Sequence, residues 1–308
     1  MRKKALKKRI ISFIPTLFGV SFLLFALLKL APGDPVSVIV GPRASNEVIE
    51  KYRQKLHLDK PFLVQYLYYL KMIASGDLGR SYYTNESVFL SIMKKIPNTF
   101  KLAFLSMIIG ILLGVGFGIT ASLKRGGFLD KFFSVLSTVM ISTPVFWTGI
   151  MLVFVFSVVL KFMPASSMEG AGFISYILPA FVLGSRSAGY IARLTRSSML
   201  DALSSPYVVA AYSKGAGKTR VVFLHAFRNC MIPVVTLVGL DFGSYLNGSV
   251  LTESIFGIDG IGRYAINAIL KRDMPVIMGT VIMGAFIFMI VNLIVDILYI
   301  KLDPRTDA

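Results

Sequence analysis

The chain has 308 residues, 55% of them hydrophobic and 16% charged, with a mean hydropathy of +0.70. That is more apolar surface than one soluble core can hide, which excludes an ordinary soluble protein. The 33 Lys and Arg against 16 Asp and Glu leave a net charge of +17. In an apolar chain this excess marks basic loops beside anionic lipid, and no basic stripe with interleaved aromatics sits in a foldable soluble unit, which excludes a nucleic-acid binder. The only cysteine, Cys230, makes no internal disulfide and leaves the redox compartment open.

Uncharged stretches near 18 residues or longer reach across a bilayer as helices. In chain order these are 10–28, 102–123, 132–160, 174–192 interrupted by Arg186, 232–251 with one interior acid, and 276–300 with one acid near its end. Six transmembrane helices are predicted, in an all-α integral membrane protein. The first follows the basic run MRKKALKKR like a signal peptide. It is too long for one, and KLAPGDPV after it offers no small-residue cleavage site, so it is read as a retained anchor.

Lys and Arg in short loops stay on the cytoplasmic side. With the N-terminus inside, that side collects the N-terminal basic run, the 124–131 loop, the segment between Arg193 and Arg228, and the tail. Both termini are therefore predicted to be cytoplasmic. The segment 31–98 then lies outside as a small helical cap, with short amphipathic helices predicted over 48–58 and 61–75. The remaining 99–308 forms a five-helix core with a cytoplasmic loop at about 201–231.

Gly110, Gly114 and Gly118 recur every fourth residue in the second span, as do Gly239 and Gly243 in the fifth. This spacing suits close helix packing, but loose glycine content in a membrane helix reads the same way. Pro144 and Pro179 fall inside the third and fourth spans, where they serve as pivots or as bends in packing.

The loop sequence SKGAGKTR, 213–220, looks like a phosphate-binding loop. A Walker A site needs G-x-x-x-x-G-K-[ST] after a strand, yet the first glycine position is occupied by Tyr212 and no strand pattern precedes it. PYVVAAYS and VVFLHAFRNCM on either side read as short helices about a glycine turn, so nucleotide binding by this chain is not expected.

This helix, glycine turn, helix loop resembles that of the permease subunits of binding-protein-dependent ABC importers. Ala210, Ala211 and Gly215 match the AA-x-x-x-G part of the family motif, and HAFRNCMIP, from His225 through Arg228 to Pro233, matches its tail. Val209 stands where the motif has glutamate. The resemblance continues through APGDPV (31–36), LDKPFLVQYLYYL (58–70), GDLGRSY (76–82), YIARLTRSSML (190–200), ESIFGIDGIGRYAINAILKRDMPVIMG (253–279) and LDPR (302–305), and narrows to the dipeptide, oligopeptide and nickel branch. It implies the type I importer permease fold in a bacterial or archaeal plasma membrane. It also implies a second homologous permease subunit, two ATPase subunits that bind the ATP and Mg, and an extracytoplasmic solute-binding protein. Ala210, Ala211, Lys214, Gly215, His225, Arg228 and Pro233 would form the ATPase-coupling loop, with no catalytic residue and no cofactor in this chain. Peptide import leads, nickel or metal-chelate import is the alternative, and a stand-alone channel or secondary transporter is the reading from another class.

Arg186 and Asp241 lie near the middle of spans four and five, where an unpaired charge costs about 2.5–3.5 kcal/mol, so both should face protein or water. The family pattern is uncharged at both places. They are read as an interhelical ion pair or as pathway contacts for the carboxylate and amine of a peptide, the pair being favoured. Glu253, Gly257, Gly260 and Gly262 form a polar glycine-rich outer loop, which is a gate, a docking surface or a plain connecting turn. Asp296 is read as a packing or helix-end residue. Met274, Met278, Met283 and Met289 are read as gap-fillers rather than a soft-metal path, since the only histidines, His57 and His225, lie in loops.

Overall fold

The computed structural model describes residues 2–30, 35–41, 44–55, 57–166 and 172–302. Among them there is no strand, only an isolated bridge between Arg80 and Ser87. The order is α1 (Arg2–Leu30), α2 (Pro35–Val40), α3 (Asn46–Lys55), α4 (Phe62–Ala74), α5 (Val88–Leu123), α6 (Phe128–Ser142), α7 (Val145–Val153, extended by a π-helical turn Phe154–Val159), a 3₁₀ turn Gly172–Tyr176 and α8 (Ile177–Leu203). Then come α9 (Pro206–Ser213), α10 (Lys218–Arg220), a π-helical turn Val221–Ala226, α11 (Phe227–Leu246), α12 (Val250–Ile255), α13 (Ile261–Lys271) and α14 (Met274–Leu302). The markers at 31–36 and 302–305 fall largely outside the described residues.

Among the described residues four helices are long and apolar enough to cross a membrane: Ile11–Leu30, Val88–Leu123, Lys218–Leu246 and Met274–Ile297. Three elements depart from the predicted spans. The third span is not one rod, because α6 and α7 meet at a bend of 99° and count as a single span only when taken together. Pro144 is the N-cap of α7, so it ends one helix and starts another instead of kinking it. The fourth span is α8, which reaches spanning length at 27 residues but is kept too polar by Arg186, Arg193 and Arg196. Pro179 sits in its first turn, where no helical hydrogen bond is lost, so it bends nothing. The fifth span starts at Lys218, so the predicted short helix over 221–231 is the foot of the spanning helix.

The spine of the bundle is α5 against α8. The glycines of α5 face small residues of α8: a Cβ added at Gly114 would lie 2.8 Å from the Ala188 carbonyl oxygen, and one at Gly118 would lie 2.7 Å from that of Ala192 and 2.5 Å from Thr195 Cβ. The reciprocal site, Gly184, lies against the Ser106 carbonyl at 2.5 Å on the same measure. Helices without side chains at the seam approach backbone to backbone, gaining dispersion contacts that lipid cannot supply. Gly239 and Gly243 do the same for α11 against Val295, Phe288 and Val291 of α14. The open alternative of loose glycines is thereby removed for both stripes.

At the end of the bundle that carries α9, Arg196 of α8 grips Asp130 in the first turn of α6 with two bonds, Nε to Oδ1 at 2.6 Å and Nη2 to Oδ2 at 2.9 Å. The Gly126 amide also donates to Asp130 Oδ2, at 2.9 Å, so the 124–127 turn is tied to the same point. At the opposite end GDLGRSY folds over the start of α14: Ser81 Oγ donates to Asp273 Oδ2 at 2.5 Å, the Tyr82 amide donates to Oδ1 at 3.2 Å, and Leu78 packs beside Val276 and Ile277. Met274 and Met283 pack against this same cluster and Met278 against Tyr66 and Tyr69, so these methionines fill gaps.

Gly118→Ala should cost about 1–3 kcal/mol by overpacking the α5–α8 seam. Gly116→Ala, with nothing within 4 Å of the added methyl, should be neutral or mildly stabilising because alanine is the better helix former. Thermal unfolding of the detergent-solubilised protein distinguishes the two, and equal midpoints would remove the seam from its assigned role.

Candidate functional site

The 205–220 loop is built from local rules. Ser205 precedes Pro206, which takes the first helical position of α9, and Val208, 1% exposed, anchors the helix to the body. The helix ends in a Schellman turn: the Ala216 amide donates to the Ala211 carbonyl at 3.1 Å and the Gly215 amide to that of Tyr212 at 2.9 Å. Gly215 has φ +79°, a left-handed conformation that costs other L-residues about 1–2 kcal/mol. The resemblance to a phosphate loop also weakens on geometry, since the Lys214, Gly215 and Ala216 amides are spent on capping α9.

What remains is a rigid projection. Tyr207, Val209, Ala210, Tyr212 and Lys214 are exposed and Ala211 is half-buried. His225 is half-buried in the π-helical turn, Arg228 is exposed on the first turn of α11, and Pro233 lies within α11. Val222 and Ala226 bury the foot of the spanning helix against Met199 and Ala202 of α8, and Val221 beside them is fully buried. The loop therefore sits beside the junction of α8 and α11.

Those two helices also carry Arg186 and Asp241. The expected Arg186–Asp241 ion pair is not formed: among the described residues no carboxylate oxygen lies within 4.0 Å of Arg186. Asp241 Oδ2 instead accepts from Ser187 Oγ at 2.5 Å, and the Tyr245 hydroxyl, 2.5 Å from Ser187 Oγ, donates to the Leu183 carbonyl at 2.9 Å. A hydroxyl one residue along the chain satisfies the carboxylate, which leaves the guanidinium exposed while remaining close enough for its charge to act on Asp241. Arg186 begins an exposed stripe along α8 that continues through Tyr190, Arg193 and Ser197 at helical spacing, although the positions flanking Arg186 and Tyr190 are buried. This stripe was not read from the sequence; the signal was present as polar residues at i, i+4, i+7 and i+11.

The glycine-rich loop at 253–262 is a brace. Glu253, 0% exposed, accepts from Thr99 Oγ1 at 3.0 Å and from the Arg263 amide at 2.8 Å, while Thr99 Oγ1 accepts the Ile261 amide at 2.9 Å. One carboxylate thus caps the N-terminus of α13 and fastens it to α5. Gly260 and Gly262 make room for it, as a Cβ at Gly260 would lie 2.5 Å from the Glu253 carboxyl. Gly257, at φ +66°, turns the chain so that its carbonyl receives Arg263 Nη1 at 2.8 Å. Thr99 was not legible as a partner, lying far from Glu253 along the chain.

Burial pushes the Glu253 carboxyl above its ordinary value of 4.5, against the opposing pull of the Arg263 amide, the Thr99 hydroxyl and the Gly262 amide. A carboxyl raised in the folded state contributes its full stability below the unfolded value and loses it as pH climbs through the folded one. Wild-type stability should therefore fall relative to Glu253→Gln as pH rises above about 4.5, since Gln mimics the protonated acid. Melting curves at stepped pH check this, and a difference that does not vary with pH would overturn it.

Comparison with known proteins puts these elements in a family. Residues 110–308 match the binding-protein-dependent transport system inner membrane component, and residues 3–103 match the N-terminal region of such membrane components. The chain is 40% identical to the di/tripeptide transport system permease protein of Pseudomonas aeruginosa, with 97% of each chain covered. It is 39% identical to the glutathione transport system permease protein of Escherichia coli, with 96% of each covered. It is 36% identical to the dipeptide transport system permease protein of Alkalihalophilus pseudofirmus, with 97% of each covered. Among solved structures, a chain of the MetNI methionine ABC transporter in an inward-facing conformation aligns over 70% of this chain and 97% of its own, with a TM-score of 0.58 at 14% identity. An amino acid ABC transporter aligns over 70% of this chain and 94% of its own, with a TM-score of 0.52 at 19% identity. An all-helical body of ABC-importer fold with a capped loop between α8 and α11, matched over nearly its whole length by permeases, belongs to the family of binding-protein-dependent transport system inner membrane components.

Proposed function

We propose that the chain is half of the membrane pathway of a peptide importer. It would pair with a second permease subunit, receive di- or oligopeptides from an extracytoplasmic binding protein, and alternate its access as two separate ATPase subunits bind and hydrolyse ATP. Both termini and α9 would face the cytoplasm. The observation that carries this reading is the Schellman-capped projection at Gly215, seated on the junction of the two helices that hold the intramembrane charges. The names of the peptide and glutathione permeases support the substrate class. In this reading Ala210, Ala211 and Lys214 meet the ATPase, and His225, Arg228 and Pro233 belong to the helix foot that receives its motion.

Arg186 and Asp241 line the pathway in this reading and are not each other's partners. Charge this deep in a bilayer requires water or protein beside it, and the exposed face of α8 supplies a wall for such a cavity. The unpaired guanidinium suits a peptide carboxylate and the carboxylate suits a peptide amine.

Uptake of a labelled dipeptide, with nickel as the parallel substrate, tests the function in cells lacking the chain and in cells carrying Gly215→Asp. Loss of peptide uptake in both is expected, while loss of nickel uptake alone would transfer the assignment to metal import. Normal peptide uptake in the Gly215 variant would separate the loop from coupling.

Arg186→Asp and Asp241→Arg should each reduce uptake, and combining them should not restore it, because neither residue depends on the other for its bonds. Recovery in the double variant would reinstate the ion pair.

A further inference from the structure

The segment between α1 and α5 reads from sequence as a small external helical cap, yet α4 does not pack on the end of the bundle. It packs on the middle of a membrane span. Phe18, Phe22 and Phe25 of α1 meet Phe62, Tyr66 and Tyr69 of α4, with the Phe22–Tyr66 centroids 5.3 Å apart and the Phe18–Tyr66 centroids 5.6 Å apart. The Tyr66 hydroxyl donates to the Phe18 carbonyl at 3.1 Å and lies 2.9 Å from Ser21 Oγ.

The depth of this contact can be read from both neighbouring spans. The apolar span of α1 is Ile11–Leu30. At 1.5 Å per residue, Ser21 lies about 13 Å below Leu30. Tyr66 and Tyr69 also pack on Ile282 of α14, whose span begins at Met274. The same rise puts Ile282 about 12 Å below that beginning. Two helices running in opposite directions assign α4 the same level.

The remaining surface of α4 fits that level. Leu63, Leu67 and Met72 are 65%, 63% and 38% exposed, and Lys71 is the sole charge on the exposed arc, with a stem long enough to carry its ammonium upward. The polar groups at the start of the helix are satisfied internally: Gln65 Nε2 donates to the Leu58 and Lys60 carbonyls at 3.2 and 2.7 Å, and its Oε1 accepts from Lys29 Nζ at 2.9 Å. A helix whose backbone bonds are closed, with Tyr66 and Tyr69 packed on the spans and Leu63, Leu67 and Tyr68 on the exposed side, suits the zone where headgroups give way to acyl chains.

We infer that α4 is seated in the bilayer, in the leaflet opposite the coupling loop, with Leu63, Leu67 and Met72 among the acyl chains. The lipid-facing perimeter of the chain then includes this helix as well as the spans, and the water-exposed part of the 31–98 segment is confined to the residues around it.

The test uses the full chain, purified and reconstituted in phosphatidylcholine vesicles. Trp147, the single native tryptophan, is replaced in the background Trp147→Phe, and Leu67→Trp supplies the probe. Bromine atoms placed along the acyl chains should quench most of the probe's emission, while aqueous iodide should quench little, as for a Leu112→Trp control on the exposed face of α5. Strong iodide quenching with no effect of brominated lipid would place α4 in water or against a protein partner and overturn the inference. Leu63→Trp, read in the same way, decides the matter if Leu67→Trp fails to assemble.

Discussion

The α5–α8 seam is the constraint on which the other elements depend. In lipid, two helices gain nothing by hiding apolar side chains from each other, so they associate only if their surfaces fit closely. Gly114 and Gly118 on one side, with Gly184, Ala188 and Ala192 on the other, bring the backbones close enough that a single methyl group has no space, and at Gly110 the fit is only slightly looser. Because α5 is 36 residues long and α8 is 27, the seam extends from the Glu253 brace to the Asp130–Arg196 clamp. Both ends of the molecule are registered to one pair of helices.

The polar features follow from that frame. Thr99 on α5 positions Glu253, Arg196 on α8 positions α6, and Ser187 on α8 positions Asp241. In each case a buried polar group finds its partner on a helix already fixed by apolar packing, as a low-dielectric interior requires. The 205–220 loop differs, since its Lys214, Gly215 and Ala216 amides are satisfied within its own turn and its outer surface is left free of the body.

Much of the fold was legible because membrane spans are uninterrupted apolar runs. α1, α5 and α14 contain the stretches that composition marks, and α4 and α9 lie within a residue or two of the predicted short helices. The break at 143–144 was not legible, because a proline in an apolar run permits a kink or a complete stop and local sequence does not decide between them. The Arg186–Asp241 pair failed for another reason: opposite charges at similar depth invite pairing, but a serine hydroxyl on the next residue was nearer to the carboxylate. Asp130 with Arg196 and Thr99 with Glu253 were invisible, because only the tertiary fold brings such distant positions together.

The 99° corner between α6 and α7 has a mechanical consequence. α6 is fastened to Arg196 at one end of the bundle, whereas α7 packs at Gly149 against Ile255 and Phe256 at the other. A rod carries thrust, but a chain with a corner yields at the corner, so displacement of one end is absorbed at 143–144 and does not reach the other by this route. Thrust between the two faces of the membrane is left to the unbroken shafts of α5 and α8, and the third span serves as a flexible strap around them.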